Sequence, residues 1–195
     1  MKIAEGARAA SLAASLTLAV AGFSAGHAWA DEANGLARTC NGCHGPDGVS
    51  ATPTMPSLAG LDTGYLATAL RDYAAGTRSH YLMEIIAKGL QADEMAALAR
   101  IFSATPFQPT VLRHDPVLAA RGQAAGAVCR ECHGEDLRGK PNVPRIAGQP
   151  AAYLLQAMRD YRDGRRRAAE GAMQSVASLS DEELEALAHY AAGVD

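Results

Sequence analysis

The pattern Cys-x-x-Cys-His occurs twice, as Cys40-Asn41-Gly42-Cys43-His44 and Cys129-Arg130-Glu131-Cys132-His133. Each copy is followed by glycine, and together they use all four cysteines of the chain. The offset is 89 residues, and the likeness extends far beyond the motif. Pro53-Thr54-Met55-Pro56-Ser57-Leu58-Ala59-Gly60 matches Pro141-Asn142-Val143-Pro144-Arg145-Ile146-Ala147-Gly148 at an offset of 88. Tyr65, Tyr73 and Gly76 match Tyr153, Tyr161 and Gly164 at the same offset, and Leu98-Ala99 matches Leu187-Ala188 at 89. Self-similarity over a whole half, present in two copies only, means a duplicated domain rather than a solenoid. Pro106 and Pro109, leading into Pro116, mark the joint. The units are expected at 31–103 and 116–195, with a linker at 104–115.

Both units read as helical. Apolar residues at 65, 66, 69, 70 and 73 follow helical spacing, as do 153, 154, 157, 158 and 161, and each series ends near a glycine, Gly76 or Gly164. Ser180-Asp181-Glu182-Glu183 is a capping box that opens a last helix through Leu184, Leu187 and Tyr190. Its counterpart is expected over about 92–102. No alternating strand pattern is present, so the fold class is all-α, each half being about three helices with a long irregular middle. Aromatic residues are only 5% of the chain. A unit of this size with so little aromatic mass has a weak core by itself, which makes a large bound cofactor physically attractive.

The N-terminal thirty residues carry a basic start (Lys2, Arg8), an apolar stretch from Ala9 to Phe23 and the small-x-small triplet Ala28-Trp29-Ala30. This is the layout of an export signal, with cleavage expected after Ala30 and a periplasmic destination. Elsewhere no apolar run is long enough to span a membrane. A formal charge of −3 and a pI near 6.1 give no basic footprint for nucleic acid.

On a helix, positions i, i+3 and i+4 share a face. Cys40, Cys43 and His44 can therefore address one planar object, as can Cys129, Cys132 and His133. Two thiols can add across the vinyl groups of a haem while the adjacent imidazole binds iron, so two covalent haem c groups are expected. The competing readings are short disulfides, a zinc site and a thioredoxin-like pair, which would want a βαβ context. Two copies in corresponding places of an exported chain favour haem.

The repeat also selects a sixth ligand. Met55 pairs with Val143, Met95 with Leu184 and Met158 with Leu70, which suits core or surface filler. Only Met83 and Met173 pair methionine with methionine, at an offset of 90, both in a stretch expected to be irregular. The iron ligands are thus His44 with Met83 and His133 with Met173. His80, His114 and His189 find no such match and read as solvated. Pro56 and Pro144 follow the ligand histidines by eleven to twelve residues. Their carbonyls are candidates to accept the imidazole N–H, the alternative being a rigid turn. Arg78 and the run Arg165-Arg166-Arg167 are candidates to face haem propionates, the alternative being solvated charge. No hydrolase constellation is present and no catalytic residue is assigned.

The two Cys-x-x-Cys-His-Gly motifs, the stretches at 53–60 and 141–148, the Tyr-Leu helices and Leu179-Ser180-Asp181 resemble the dihaem class I cytochromes c of the cytochrome c4 type. The resemblance covers nearly all of the chain after the signal. Met83-Glu84-Ile85-Ile86-Ala87-Lys88-Gly89, Phe107-Gln108-Pro109 and Tyr153-Leu154 look closer to the cytochrome subunit of flavocytochrome c sulfide dehydrogenase. The resemblance implies two tandem cytochrome c-like domains about a pseudo-twofold axis, with the haems near the interface. It implies an electron-transfer protein whose partner is a flavoprotein subunit that oxidises sulfide or, for a c4-type shuttle, a terminal oxidase. Two other classes compete. A dihaem peroxidase-like enzyme needs an open iron, and a thiol or zinc module predicts a colourless protein.

Overall fold

The computed structural model describes residues 24–109, 112–167 and 172–194. Eight α-helices are present among the described residues: α1 Ser24–His44, α2 Thr63–Ala75, α3 Tyr81–Lys88, α4 Ala92–Ala104, α5 Pro116–Ala125, α6 Ala127–His133, α7 Ala151–Arg162 and α8 Asp181–Ala192. Among the described residues there is no strand, only two isolated bridges. No helix there is long and apolar enough to cross a membrane. Residues 1–23, most of the stretch expected to be an export signal, lie outside the described residues. Helix α1 runs through Ala30. Cleavage after Ala30 would leave Asp31 and Glu32 in its first turn, where a helix dipole favours negative charge.

Sequence chemistry sets most helix ends. Asp62 caps α2 by accepting from the Tyr65 N–H, and Gly76 ends that helix in a left-handed conformation. Ser180 and Glu183 form the expected capping box of α8, and Gln91 with Glu94 forms one at α4. One expectation fails. Met83 is not in an irregular stretch but within α3, where His80 accepts from the Met83 N–H and Glu84 accepts from the His80 N–H. Tyr81-Leu82-Met83-Glu84-Ile85-Ile86-Ala87-Lys88 contains no helix breaker, so the capped segment closes two turns of helix. Among its described residues, the Met173 stretch is irregular as expected, apart from a 3₁₀ turn over Gln174–Val176.

Each half buries its own small aliphatic core. Leu61, Leu66, Leu98, Ala99 and Phe102 pack in the first, and Leu137, Ala147, Leu154, Ala188 and Ala191 in the second. The connection between α4 and α5 crosses the junction and inserts Phe107 between Gly60 and Gly148. Both glycines hold φ +67°, and a Cβ on either would lie 2.7 or 3.1 Å from Phe107. Only glycine admits both that backbone and that approach. Arg145 stacks over the Phe107 ring, 4.1 Å from its centroid.

The halves meet reciprocally. Arg166 donates to the Tyr65 hydroxyl at 2.9 Å, and Arg78 donates to the Tyr153 hydroxyl at 3.3 Å. These are repeat-equivalent residues exchanged across the junction. Arg78 lies over the Tyr73 ring at 4.5 Å and Arg166 over the Tyr161 ring at 4.4 Å, which places each guanidinium on its own half's aromatic face. The backbones pair as well: Ser79 N–H donates to Arg165 O at 3.2 Å, and Arg167 N–H to Thr77 O at 3.3 Å. Other contacts break the symmetry, among them Tyr153 N–H to Pro53 O at 3.0 Å and Asn142 N–H to Asp62 Oδ1 at 2.9 Å. The buried Gln149 amide accepts from Ser57 N–H and donates to Ser57 O, both at 2.9 Å, while its repeat counterpart is Leu61.

The two guanidiniums bias this polar layer toward a phenolate. Burial opposes ionisation of Tyr65, yet the guanidiniums of Arg166 and Arg78 outweigh it and hold the phenol down at about 7. Burial and the neighbouring Tyr65 push Tyr153 the other way. Between pH 7 and the ordinary tyrosine pKa near 10, the folded chain therefore binds fewer protons at Tyr65 than the unfolded one. Stability gained this way is fully present above about 10 and is lost as pH falls through 7. One phenolate, carried by the Tyr65–Tyr153 pair, is expected to appear near neutral pH in a ¹³C-tyrosine NMR titration; ordinary titration of every tyrosine would refute it.

Candidate haem sites

Cys40, Cys43 and His44 occupy the last turn of α1, and Cys129, Cys132 and His133 form the last turn of α6. In both copies the first cysteine is half-buried, the second exposed and the histidine buried. None of the four cysteines is joined to another in a disulfide. Among the described residues no group of three or more His, Cys, Asp or Glu side chains converges as a metal site. Burial pushes the Cys40 and Cys129 thiols up.

The imidazoles are held alike. His44 Nδ1 lies 2.9 Å from Pro56 O, and His133 Nδ1 lies 2.8 Å from Pro144 O. A proline carbonyl can only accept, so Nδ1 carries the hydrogen and Nε2 keeps its lone pair for a metal. Burial holds both histidines below the usual imidazole range, against the opposing pull of these carbonyls. The neutral form, the one that binds iron, is thereby favoured.

In the C-terminal half the motif opens onto a cavity of about 560 Å³. Cys129, Cys132, His133 and Met173 share its wall, with Pro144, Leu137, Leu154 and Ala188. Its volume is within the range of ligand sites of about 300–1,000 Å³. Two thiols, an imidazole and a thioether around one apolar space are the donor set that a covalent haem requires, so the residues present fit the group. Met173 reaches this wall from a left-handed backbone, φ 60°, strained for a non-glycine residue by about 1–3 kcal/mol. Met158, read from the sequence as filler, lines the same cavity. In the N-terminal half, Met83 is half-buried on the side of α3 that it shares with the fully buried Ala87.

The arginines divide. Arg78 and Arg166 are 7% and 8% exposed and line the same cavity, which also reaches Tyr65 of the first half. Arg165 instead pairs with Asp160 and Asp163 at 2.9 Å each, and Arg167 is exposed at the edge of the cavity, which it also lines. The reciprocal tyrosine contacts of Arg78 and Arg166 were missed by sequence reasoning. Their trace in the sequence is the pairing of Tyr65 with Tyr153 and Arg78 with Arg166 at an offset of 88, which does not say that they meet.

Comparison with known proteins agrees with these features. The cytochrome c family model matches residues 119–194. Cytochrome c4 of Azotobacter vinelandii is 33% identical over 205 aligned positions, covering 92% of this chain and 95% of the relative. The thiosulfate dehydrogenase electron acceptor of Stutzerimonas stutzeri is 34% identical over 182 positions, covering 83% and 82%. The crystal structure of reduced recombinant cytochrome c4 from Pseudomonas stutzeri superposes with a TM-score of 0.76 at 30% identity, covering 85% of this chain and 98% of that one. With two Cys-x-x-Cys-His turns on an all-helical fold of two cytochrome c domains, the chain belongs to the cytochrome c4 family, electron-transfer proteins that carry two covalent haem c groups.

Proposed function

We propose that this chain is a periplasmic electron carrier between a sulfur-oxidising dehydrogenase and a later acceptor. It would hold one haem in each of two domains, 31–103 and 116–195, joined by 104–115. Cys40 and Cys43 bind the first haem, with His44 and Met83 as iron ligands. Cys129 and Cys132 bind the second, with His133 and Met173. The carrying observation is the wall shared by Cys129, Cys132, His133 and Met173, with both imidazoles pinned through Nδ1. A bound haem supplies a one-electron ferric/ferrous couple. Pro56 and Pro144 orient the imidazoles, and the thioethers complete closed sites that favour the ferrous state. Two one-electron sites in one chain can hold both electrons of a two-electron oxidation.

For the donor, the motifs around Met83 and Tyr153 suggest a flavoprotein that oxidises sulfide. Relatives named thiosulfate dehydrogenase electron acceptors support a thiosulfate dehydrogenase instead, and that is the donor we favour. The direct test is stopped-flow mixing of the oxidised protein with each dehydrogenase and its substrate. Reduction within the turnover time of the thiosulfate enzyme alone is the expected result, and reduction by the sulfide flavoprotein alone would reverse the choice. Alkaline pyridine quantitation should give two haems per chain, low-spin in both oxidation states. One haem, or a high-spin component, would break the paired closed-site reading.

A further inference from the structure

Helix α3 is apolar on two sides at once. Its inner side carries Met83 and Ala87, and its outer side carries Tyr81, Leu82, Ile85 and Ile86, which are 78%, 48%, 56% and 48% exposed. At about 100° per residue these four form one continuous arc. The remaining strip is Glu84 and Lys88, which neutralise each other across 3.7 Å. A surface helix ordinarily turns one apolar stripe inward and a polar face outward. The other two large exposed apolar side chains among the described residues, Val117 and Val128, stand singly on α5 and α6.

The repeat shows that this face belongs to one half only. Counting from the paired methionines, Leu82 corresponds to Ala172, Ile85 to Ser175 and Ile86 to Val176. Ala172 and Ser175 line the C-terminal cavity and remain exposed, which marks them as rim positions, and Val176 is turned inward. The rim that is small or polar in the second half is large and apolar in the first.

Size and charge indicate what covers it. Four side chains on two turns of helix offer a few hundred Å², well below the roughly 800 Å² per partner of a stable interface. That is too little for a permanent subunit or a lasting dimer, and it suits a brief electron-transfer encounter. The internally neutralised Glu84–Lys88 strip offers no charge to a strongly charged partner.

We propose that the outer face of α3 is the docking surface for a transient redox protein that presents an uncharged apolar rim around its own centre. Electrons then pass between proteins through the N-terminal half. This rests on the reading that the chain exchanges electrons with another protein. A partner seated here is separated from Met83 by one helix thickness, about 10 Å. A haem held by Cys40, Cys43, His44 and Met83 would accept the one electron that leaves the partner's reduced centre. No bond forms or breaks, and no proton moves.

The test uses the full-length, haem-loaded protein and the double variant Leu82→Ser/Ile85→Ser, with Val117→Ser as a surface control. Reduction is followed by stopped flow, with purified thiosulfate dehydrogenase plus thiosulfate as the protein donor and ascorbate as the small donor. The double variant should be reduced at least tenfold more slowly by the enzyme. Its ascorbate rate, spectrum and both potentials should match the parent, and Val117→Ser should match throughout. An unchanged enzyme rate overturns the proposal. So does a slower rate that tracks a shifted N-terminal potential, because the face then serves haem packing. Co-elution of enzyme and cytochrome as a stable complex overturns its transient character. If the parent is not reduced by this enzyme, the donor reading fails, and the surface is decided by electron self-exchange between oxidised and reduced protein, measured by NMR. A tenfold slower self-exchange in the double variant upholds the surface, and an equal rate removes it.

Discussion

Met173→Ala is expected to bind carbon monoxide at one ferrous iron per chain, where the parent binds none. Alanine offers no donor atom, and the remaining ligand, His133, stays fixed by its bond to Pro144 O. The opened iron should show a high-spin component, and its midpoint potential should fall by on the order of 100 mV, a modest part of the roughly 0.8 V that axial ligands span. Met83→Ala should do the same at the other iron, so the double variant should bind two equivalents. Met158 lines the same cavity as Met173 and supplies the sharpest control. Met158→Leu should leave the iron closed, as its repeat counterpart is already Leu70. Carbon monoxide binding by Met158→Leu but not by Met173→Ala would exchange the two assignments.

Cys129→Ser/Cys132→Ser, which blocks attachment of the second haem, is expected to abolish cooperative folding of the C-terminal half. A cavity of about 560 Å³ left unfilled costs, at about 24 cal/mol per Å³, up to about 13 kcal/mol. The cavity opens partly to solvent, so this is an upper bound, yet it rivals the whole stability of a domain, about 5–15 kcal/mol. The variant should keep helical far-UV dichroism, lose the near-UV signals of its C-terminal tyrosines and bind a hydrophobic dye. A single sharp thermal transition at the parent temperature would show that protein packing alone holds this half together.

Local chemistry was readable because it is written within a few residues. The turns bearing Cys-x-x-Cys-His, the caps at Asp62 and Ser180, and the end of α2 at Gly76 each need only neighbours in sequence. The carbonyls of Pro56 and Pro144 were readable from the repeat, and both lie at hydrogen-bond distance from His44 and His133, the proposed ligands. The helix around Met83 was harder. Its cap relies on His80, a weaker N-terminal signal than Ser, Thr, Asp or Asn. The exchange of Arg78 and Arg166 across the junction was not readable in its role. A buried arginine and a solvated one look identical in sequence, and only the packing of the two halves puts a tyrosine from the other repeat in reach.

That exchange bears on how such a chain arises. An isologous contact is one in which each surface meets a copy of itself, and Tyr65–Arg166 with Tyr153–Arg78 meets that description within a single polypeptide. The patch that joins the halves is thus the patch of a homodimer. Tethering through the Phe107 segment replaces a dependence on protein concentration with a fixed, millimolar-scale effective concentration. Freed from assembling by chance, the halves could then diverge, with Gln149 facing Ser57 on one side only and large apolar residues on the rim of the other.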